Sequence, residues 1–251
     1  MATMKEYRNY IFDLYGTLVD IHTDENLPTL WQGAANILEE WNIRYTPTEL
    51  RTKYLEICAF LTERKKAELA ERGIPGPEEI ELTDVWDALA DCKGEKLTEG
   101  QKLDFSRIFR KLSTLKLRLY PDAKELLHSL QETGKTVCLL TNAQASFTLP
   151  ELEELGISND FDHIFISSSA GVKKPGSAFF SQLWNIGLHP ENCLMIGNDD
   201  ICDCHGAAAV GMDSLYIRTE QSPEPKLPLP QNCFEIRTLQ DILYFIHCPV
   251  R

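Results

Sequence analysis

The chain has 251 residues, 43% of them hydrophobic, which suffices for a sizeable core and two structural units. Its 38 acidic against 25 basic side chains give a formal net charge of -13. Such a surface repels phosphate backbones and argues against nucleic-acid binding, though a local basic pocket for a small anion is still allowed.

Tyr10 to Leu14 is predicted to be a short buried strand ending at Asp13 or just beyond. Gly16 and Thr17 permit the sharp change of direction that follows. From about Leu30 to Leu117 the pattern is mainly helical, with charged faces and recurring apolar positions. GAANILEEW and PTELRTKYLEICAFLTERKKAELAERG are the clearest helices. The second starts near Pro47 and Thr48 and ends at Gly73, and its ERKKAELAERG part is a charged surface. PEEIELTDVWDALADC and LDFSRIFRKLSTLKL are predicted as two more.

Strand–helix alternation resumes near Pro121. TVCLLTN, DHIFISS, NCLMIGN and DSLYIRT have the short apolar runs of parallel strands. PDAKELLHSLQETG, FTLPELEELG, GSAFFSQLWNIG and DCHGAAAVG supply covering helices. TEQSPEPKLPLPQN is an irregular surface segment before a final helix, TLQDILYFIH. This is α/β grammar, a Rossmann-like parallel-sheet core. If the first strand joins that sheet, the helical block is an α-helical cap inserted above the C-terminal edge, where open α/β folds bind ligands. The expected division is a core of residues 1–19 and 118–251 and a helical cap of 20–117.

Four short motifs fall at strand ends. In Asp13-Leu14-Tyr15-Gly16-Thr17, a carboxylate is presented where it can attack phosphorus or carbon, although an aspartate before a turn is common. Thr141-Asn142 offers a hydroxyl and backbone N–H groups for an oxyanion, or a helix cap. Lys173-Lys174-Pro175-Gly176 places a cation before a rigid turn, aimed at an anion or simply solvated. In Ile196-Gly197-Asn198-Asp199-Asp200-Ile201-Cys202-Asp203, neighbouring carboxylates repel one another. A divalent cation, solvent or helix N-terminal amides would relieve that repulsion.

In order, position and the large insertion after the first motif, these four resemble the haloacid dehalogenase-like hydrolase superfamily, in the subgroup with a helical cap. The resemblance implies Asp13 as nucleophile, Thr141 as phosphate-binding hydroxyl and Lys174 as the lysine before proline, with Lys173 facing elsewhere. It implies Tyr15, Gly16, Thr17, Asn142 and Asn198 around the substrate. It also implies Mg²⁺ bridging Asp13, the Tyr15 carbonyl and fourth-motif carboxylates. Asn198 stands where the metal-dependent pattern has aspartate, so the ligands are expected at Asp199 and Asp203, with Asp200 facing solvent. The implied activity is a Mg²⁺-dependent phosphatase of small phosphorylated or anionic metabolites, acting through an aspartyl-phosphate.

Tyr15 departs from the phosphatase pattern, which has an acid two residues after the nucleophile. A tyrosine with a pKa near ~10 is a poor general base at neutral pH. The DxYGTL pattern is similar to that of 2-haloacid dehalogenases, which use the aspartate without metal and a cap arginine to bind substrate. That enzyme is the alternative reading, as is a weakly active or noncatalytic metabolite- or protein-binding member. Asp20 and His22 are candidate substitutes for the missing acid, and Arg44, Arg51 and Lys53 are candidate anion contacts in the cap. The cap aromatics Trp31, Trp41, Tyr45, Tyr54, Phe60 and Trp86 are expected mostly to pack together. The inserted architecture implies opening and closing of the cap.

The start MATMKEYRNY has no hydrophobic signal core, and no apolar run approaches membrane-spanning length. The eight cysteines are therefore expected to be mostly reduced and buried, in a cytoplasmic protein with no membrane partner. Cys202, Cys204 and His205 do not have the spacing of a zinc site.

Overall fold

A computed structural model describes residues 5–247; the first four residues, the last four and Cys248 among them lie outside it. Strand β1 (Asn9–Phe12) is buried at every position, as a central parallel strand covered on both faces must be. It is followed by β2 (Val19–Thr23), α1 (Pro28–Glu40), α2 (Pro47–Glu71), α3 (Leu82–Asp91), α4 (Glu99–Ser113) and β3 (Thr114–Leu119). The alternating part then runs α5 (Ala123–Glu132), β4 (Thr136–Thr141), α6 (Ala145–Glu154), β5 (His163–Ile166), α7 (Ser167–Ala170) and α8 (Ser177–Asn185). It ends with β6 (Cys193–Gly197), a π-helical turn at Asp200–His205, α9 (Gly206–Ala209), β7 (Asp213–Ile217), β8 (Cys233–Ile236) and α10 (Leu239–His247).

Six strands form one parallel sheet in the order β5-β4-β1-β6-β7-β8. Successive residues of β1 face opposite sides. Phe12 joins Leu126, Leu130 and Leu243 from α5 and α10 on one face. Ile11 joins Phe179, Phe180 and Leu183 from α8 on the other. The chain crosses from β1 to β4 and β5 on one side and to β6, β7 and β8 on the other. That reversal leaves a crevice at the C-terminal ends of β1, β4 and β6, the ordinary place for a ligand.

Helices α1–α4 form the cap, with a core of their own around Trp31, Tyr54, Trp86, Phe105 and Phe109. Trp86 meets Phe105 edge-on at 4.9 Å, and its indole N–H donates to Ser106 Oγ at 2.8 Å, which satisfies the buried donor. Trp41 and Tyr45 pack against the same cluster, whereas Phe60 is 65% exposed. Capping boxes at Thr46–Glu49 and Thr98–Gln101 start α2 and α4.

Three segments differ from the sequence reading. The run LDFSRIFRKLSTLKL is not one helix: α4 stops at Ser113, and TLKLRL becomes β3, antiparallel to β2 in a two-stranded ribbon. Its period-two alternation outweighs the helical period before it. In PEEIELTDVWDALADC only the part from Leu82 is helical. The preceding stretch is extended and lies on the core, with Glu79 N–H donating to Gly171 O at 3.1 Å and Lys173 N–H to Pro77 O at 3.1 Å. Gly176 makes this approach possible, since a Cβ there would sit 2.4 Å from Gly76 Cα. Finally, the irregular segment after β7 ends in a sixth core strand, CFEI, which a four-residue run with a charged third position does not announce.

Cys58, Cys92, Cys138, Cys193, Cys202, Cys204 and Cys233 are free thiols, and Cys138, Cys193 and Cys204 are buried while Cys92 is exposed. Among the described residues no helix is long and apolar enough to cross a membrane.

Candidate active site

Strand β1 delivers Asp13 to the crevice, and the Asp13 N–H still donates to Ile196 O at 2.9 Å, so the residue leaves the sheet with its backbone anchored. Strand β4 delivers Thr141 and Asn142. The loop after α7 brings Lys174, and the loop after β6 brings Asn198, Asp199 and Asp203. All of these, with Tyr15, Cys202, Gln221 and Pro223, line one cavity of about 190 Å³.

Lys174 is the hub. Its side chain is 1% exposed, and its ammonium lies 2.8 Å from Asp13 Oδ1 and 2.6 Å from Asp203 Oδ1. Burial opposes the charged ammonium, but the two carboxylates outweigh it and hold the pKa above the ordinary lysine value. Burial likewise pushes Asp203 up, to about 7, against the pull of Lys174. Asn142 positions the lysine: its amide donates to Lys174 O at 3.1 Å and its carbonyl oxygen accepts from Lys174 N–H at 2.9 Å. Lys173 turns the other way, 3.6 Å from Glu79.

Two glycines have steric reasons. A Cβ on Gly197 would fall 2.2 Å from the Asp203 carboxyl carbon, so only glycine lets that carboxylate tuck under the strand end. Gly16, at φ +83°, would place a Cβ 2.2 Å from Asn198 Nδ2, so the two loops meet there in direct contact. Thr17 Oγ1 bridges the same loops, 3.4 Å from Asp13 Oδ2 and 3.3 Å from Asn198 Oδ1. Thr141 Oγ1 is buried and has no hydrogen-bond partner among the described residues.

The oxygen donors have the chemistry Mg²⁺ requires: one or two carboxylates, neutral oxygens and retained water. Asp13 Oδ2 and Asn198 Oδ1 share Thr17 as neighbour, and the Tyr15 carbonyl accepts no hydrogen bond from the described residues. Asp203 has both oxygens engaged, one by Lys174 and the other by Asp199 N–H at 3.0 Å. Asp199 Oδ1 caps the π-helical turn by accepting from Ile201 N–H at 2.9 Å and Cys202 N–H at 2.8 Å. Among the described residues no three His, Cys, Asp or Glu side chains converge as a metal cluster.

Some expected residues lie elsewhere. Asp200 is not solvent-facing: it is 1% exposed, and its carboxylate accepts from the backbone N–H groups of Lys226 and Leu227, at 2.8 and 3.1 Å. It fastens the β7–β8 loop, which then brings Gln221 and Pro223 to the cavity wall. Thr219 Oγ1 donating to Gly16 O at 2.8 Å and Gln221 Nε2 donating to Asp20 Oδ1 at 2.7 Å hold the same loop, and sequence reading missed both lining residues because such long-range ties leave no local signal. Asp20 is buried between Lys116 and Arg118 of β3, and His22 is exposed. Arg44 pairs with Glu39, Arg51 with Asn26 and Lys53 with Glu56 on the cap surface. None of the three lines the cavity.

Tyr15 does not direct its hydroxyl into the site. The phenol donates to Glu151 on α6, and burial, then the Glu151 charge, raise its pKa above the ordinary tyrosine value. Glu151 is paired with Arg110 from the cap helix α4 at 2.6 Å.

Residues 7–211 match the haloacid dehalogenase-like hydrolase family, and the chain belongs to it. Its parallel α/β core and inserted helical cap agree with that membership. Among curated relatives, it is 35% identical over 108 residues to a ribulose-1,5-bisphosphate 5-phosphatase of Halopiger xanaduensis, a match covering 42% of this chain and 45% of that one. The chain thus spans about half the length of the first curated relatives it matches. Among solved structures, the HAD-hydrolase YfnB of Bacillus subtilis bound to magnesium is 22% identical, with a TM-score of 0.54 and coverage of 98% of this chain and 100% of that one. An L-2-haloacid dehalogenase of Xanthobacter autotrophicus with chloropropionic acid covalently bound is 18% identical, with a TM-score of 0.56 and coverage of 96% and 99%. Both structural likenesses concern the fold alone, which therefore does not separate the two chemistries.

Proposed function

We propose that the protein is a magnesium-dependent phosphohydrolase of small phosphorylated metabolites, with Asp13 as nucleophile. The observation that carries the reading is the Asp13–Lys174–Asp203 arrangement, with Lys174 Nζ 2.8 Å from Asp13 and 2.6 Å from Asp203. It sets a buried cation against one oxygen of the strand-end carboxylate, while the other oxygen meets Thr17 Oγ1 at 3.4 Å and belongs to a residue that lines the cavity. The 35% identity over 108 residues to a ribulose-1,5-bisphosphate 5-phosphatase supports phosphorus as the electrophile.

Asp13 attacks the phosphorus in line as the bond from phosphorus to the substrate's leaving oxygen breaks and that oxygen departs with the electron pair; water then attacks the aspartyl-phosphate at phosphorus, the bond to Asp13 breaks, and inorganic phosphate and the free carboxylate result. Thr141 and Asn142 orient the phosphoryl oxygens, and Lys174 offsets their charge as it builds. Asp203 positions Lys174 and takes no part at phosphorus. Mg²⁺ would be held by Asp13, the Tyr15 carbonyl and Asn198, with Asp199 and Asp203 completing the acidic wall. Once bound, it neutralises charge on the transferring phosphoryl group. The contact with Gly16 and Thr17 favours Asn198 over Asp199 as the nearer donor.

A dehalogenase is the second reading, favoured by one observation: Tyr15 presents an aromatic wall with its hydroxyl turned away. Phosphate release from a panel of small phosphoesters, with Mg²⁺ and with EDTA, tests the first reading. Halide release from 2-haloacids under the same two conditions tests the second. Phosphate release that stops with EDTA is expected, and EDTA-insensitive halide release without phosphate release would reverse the order.

A further inference from the structure

Tyr15 stands where a phosphatase of this family has its proton donor, and it lines the catalytic cavity. Its hydroxyl hydrogen is committed elsewhere, to Glu151, with Thr148 Oγ1 3.1 Å away. Glu151 is 5% exposed and accepts from Arg110 Nε at 2.6 Å and Nη2 at 3.4 Å. The Arg110 guanidinium also lies over the Tyr15 ring, 5.4 Å from its centroid. The ring is thus clamped on its hydroxyl end by a buried carboxylate and on its face by a cation. Turning the hydroxyl toward Asp13 would strip a donor from that buried carboxylate, a strongly penalised change.

The other groups on the cavity wall have their own commitments. Lys174 is shared between Asp13 and Asp203, and Asp199 accepts from two backbone N–H groups. Cys202 offers only a weakly donating thiol. Thr141 keeps an unpartnered hydroxyl, but an alcohol is far too weak an acid to protonate a leaving alkoxide, and the lining amides of Asn142, Asn198 and Gln221 are weaker still. Among the described residues, therefore, the lining carries no uncommitted carboxylic acid, imidazole or phenol to serve as proton donor.

We propose that the site acts on acyl phosphates in preference to alkyl phosphomonoesters. This narrows the substrate of the phosphohydrolase reading above and rests on it. An acyl phosphate needs no proton donor. Asp13 attacks phosphorus, the bond from phosphorus to the acyl oxygen breaks, and its electron pair leaves on a stable carboxylate. Water then attacks the aspartyl-phosphate at phosphorus, the bond to Asp13 breaks with its pair returning to the carboxylate, and the water's proton passes to solvent as inorganic phosphate departs. An alkyl ester must instead expel an alkoxide, where a positioned acid is ordinarily worth about 10²–10⁴-fold. The cavity of about 190 Å³ suits a small acyl group.

Acetyl phosphate and isopropyl phosphate are nearly the same size and differ in the leaving group, so they are the test pair. With Mg²⁺ present and spontaneous hydrolysis subtracted, kcat/KM is expected to favour acetyl phosphate by about 10²-fold or more. Tyr15→Asp is expected to raise turnover of isopropyl phosphate selectively and narrow that gap. Tyr15→Phe is expected to change both substrates by the same factor, and it carries the test if the aspartate variant does not fold. Equal kcat/KM on the two substrates, or a selective loss of isopropyl phosphate turnover in Tyr15→Phe, overturns the proposal and leaves the phosphohydrolase reading standing. No phosphate release from either substrate overturns both.

Discussion

Replacing Lys174 with methionine keeps the length of the side chain and removes its charge. The ammonium is 1% exposed and lies within 2.8 Å of both Asp13 and Asp203, so the variant strands two carboxylates that share one cation. Breaking a buried pair from one side typically costs about 3–5 kcal/mol, because the remaining charge loses its partner while staying out of water. The cost should depend on pH. Asp203 already has a raised pKa from burial, and loss of Lys174 removes the main influence pulling it down. An acid whose folded pKa exceeds its unfolded value near ~3.9 holds a proton in the native state that the unfolded chain has released. Stability of the variant should therefore fall as pH rises between those two values. The wild-type Lys174 contribution has the same sign but lies at the alkaline end of the scale: it is present below the ordinary lysine value and lost only as pH rises through the higher folded pKa. Urea unfolding in EDTA at pH 5 and pH 8, both below the lysine window, measures the cost of the substitution and its dependence on the Asp203 proton. The variant should lose most at pH 8, and Lys174→Met combined with Asp203→Asn should recover part of the loss. A loss below about 1 kcal/mol that is the same at both pH values would refute the reasoning, since that is the size of an exposed ion pair.

Three other outcomes are expected. Gly16→Ala forces a Cβ into the place of the Asn198 amide, 2.2 Å away, at a backbone φ of +83°, so turnover should fall by more than a modest drop in melting temperature explains. Trp86→Ala empties the centre of the cap cluster and should cost about 3–5 kcal/mol, read from denaturant unfolding; an unchanged midpoint would mean that the cap does not unfold with the core. Iodoacetamide at pH 8 should modify exposed Cys92 well before Cys138 or Cys193, whose thiols burial pushes up to about 12 and about 11. Peptide mapping reads the order, and Cys138 reacting as fast as Cys92 would contradict the packing.

Most strands of the core were legible because each is a short apolar run closed by a turn. Asp13 and Thr141 stand at the ends of such runs, whereas Lys174 lies in the loop between α7 and α8 and was singled out by the family resemblance, as the lysine before proline. β3 was hidden because TLKL follows a long helix without a break, and β8 because its four residues pair only through long-range contacts. The same limit applies to the site. Nothing local marks Glu151 as the partner of Tyr15, since α6 joins it to the first loop across 136 residues. Gln221 and Pro223 reach the cavity through a loop that Asp200 holds from 26 residues away. Asp200 itself has the sequence character of a solvated acid, and only the backbone N–H groups that meet it make burial tolerable.

The role of Asp13 as a phosphoryl acceptor can be tested on the protein itself. The protein is mixed with acetyl phosphate and Mg²⁺, quenched in acid within milliseconds, digested and analysed by mass spectrometry. A phosphoryl group on the Asp13 peptide, present with Mg²⁺, missing with EDTA and missing in Asp13→Asn, is the result the account requires. Phosphate release at the wild-type rate from Asp13→Asn, or a phosphoryl group on some other residue, would contradict it.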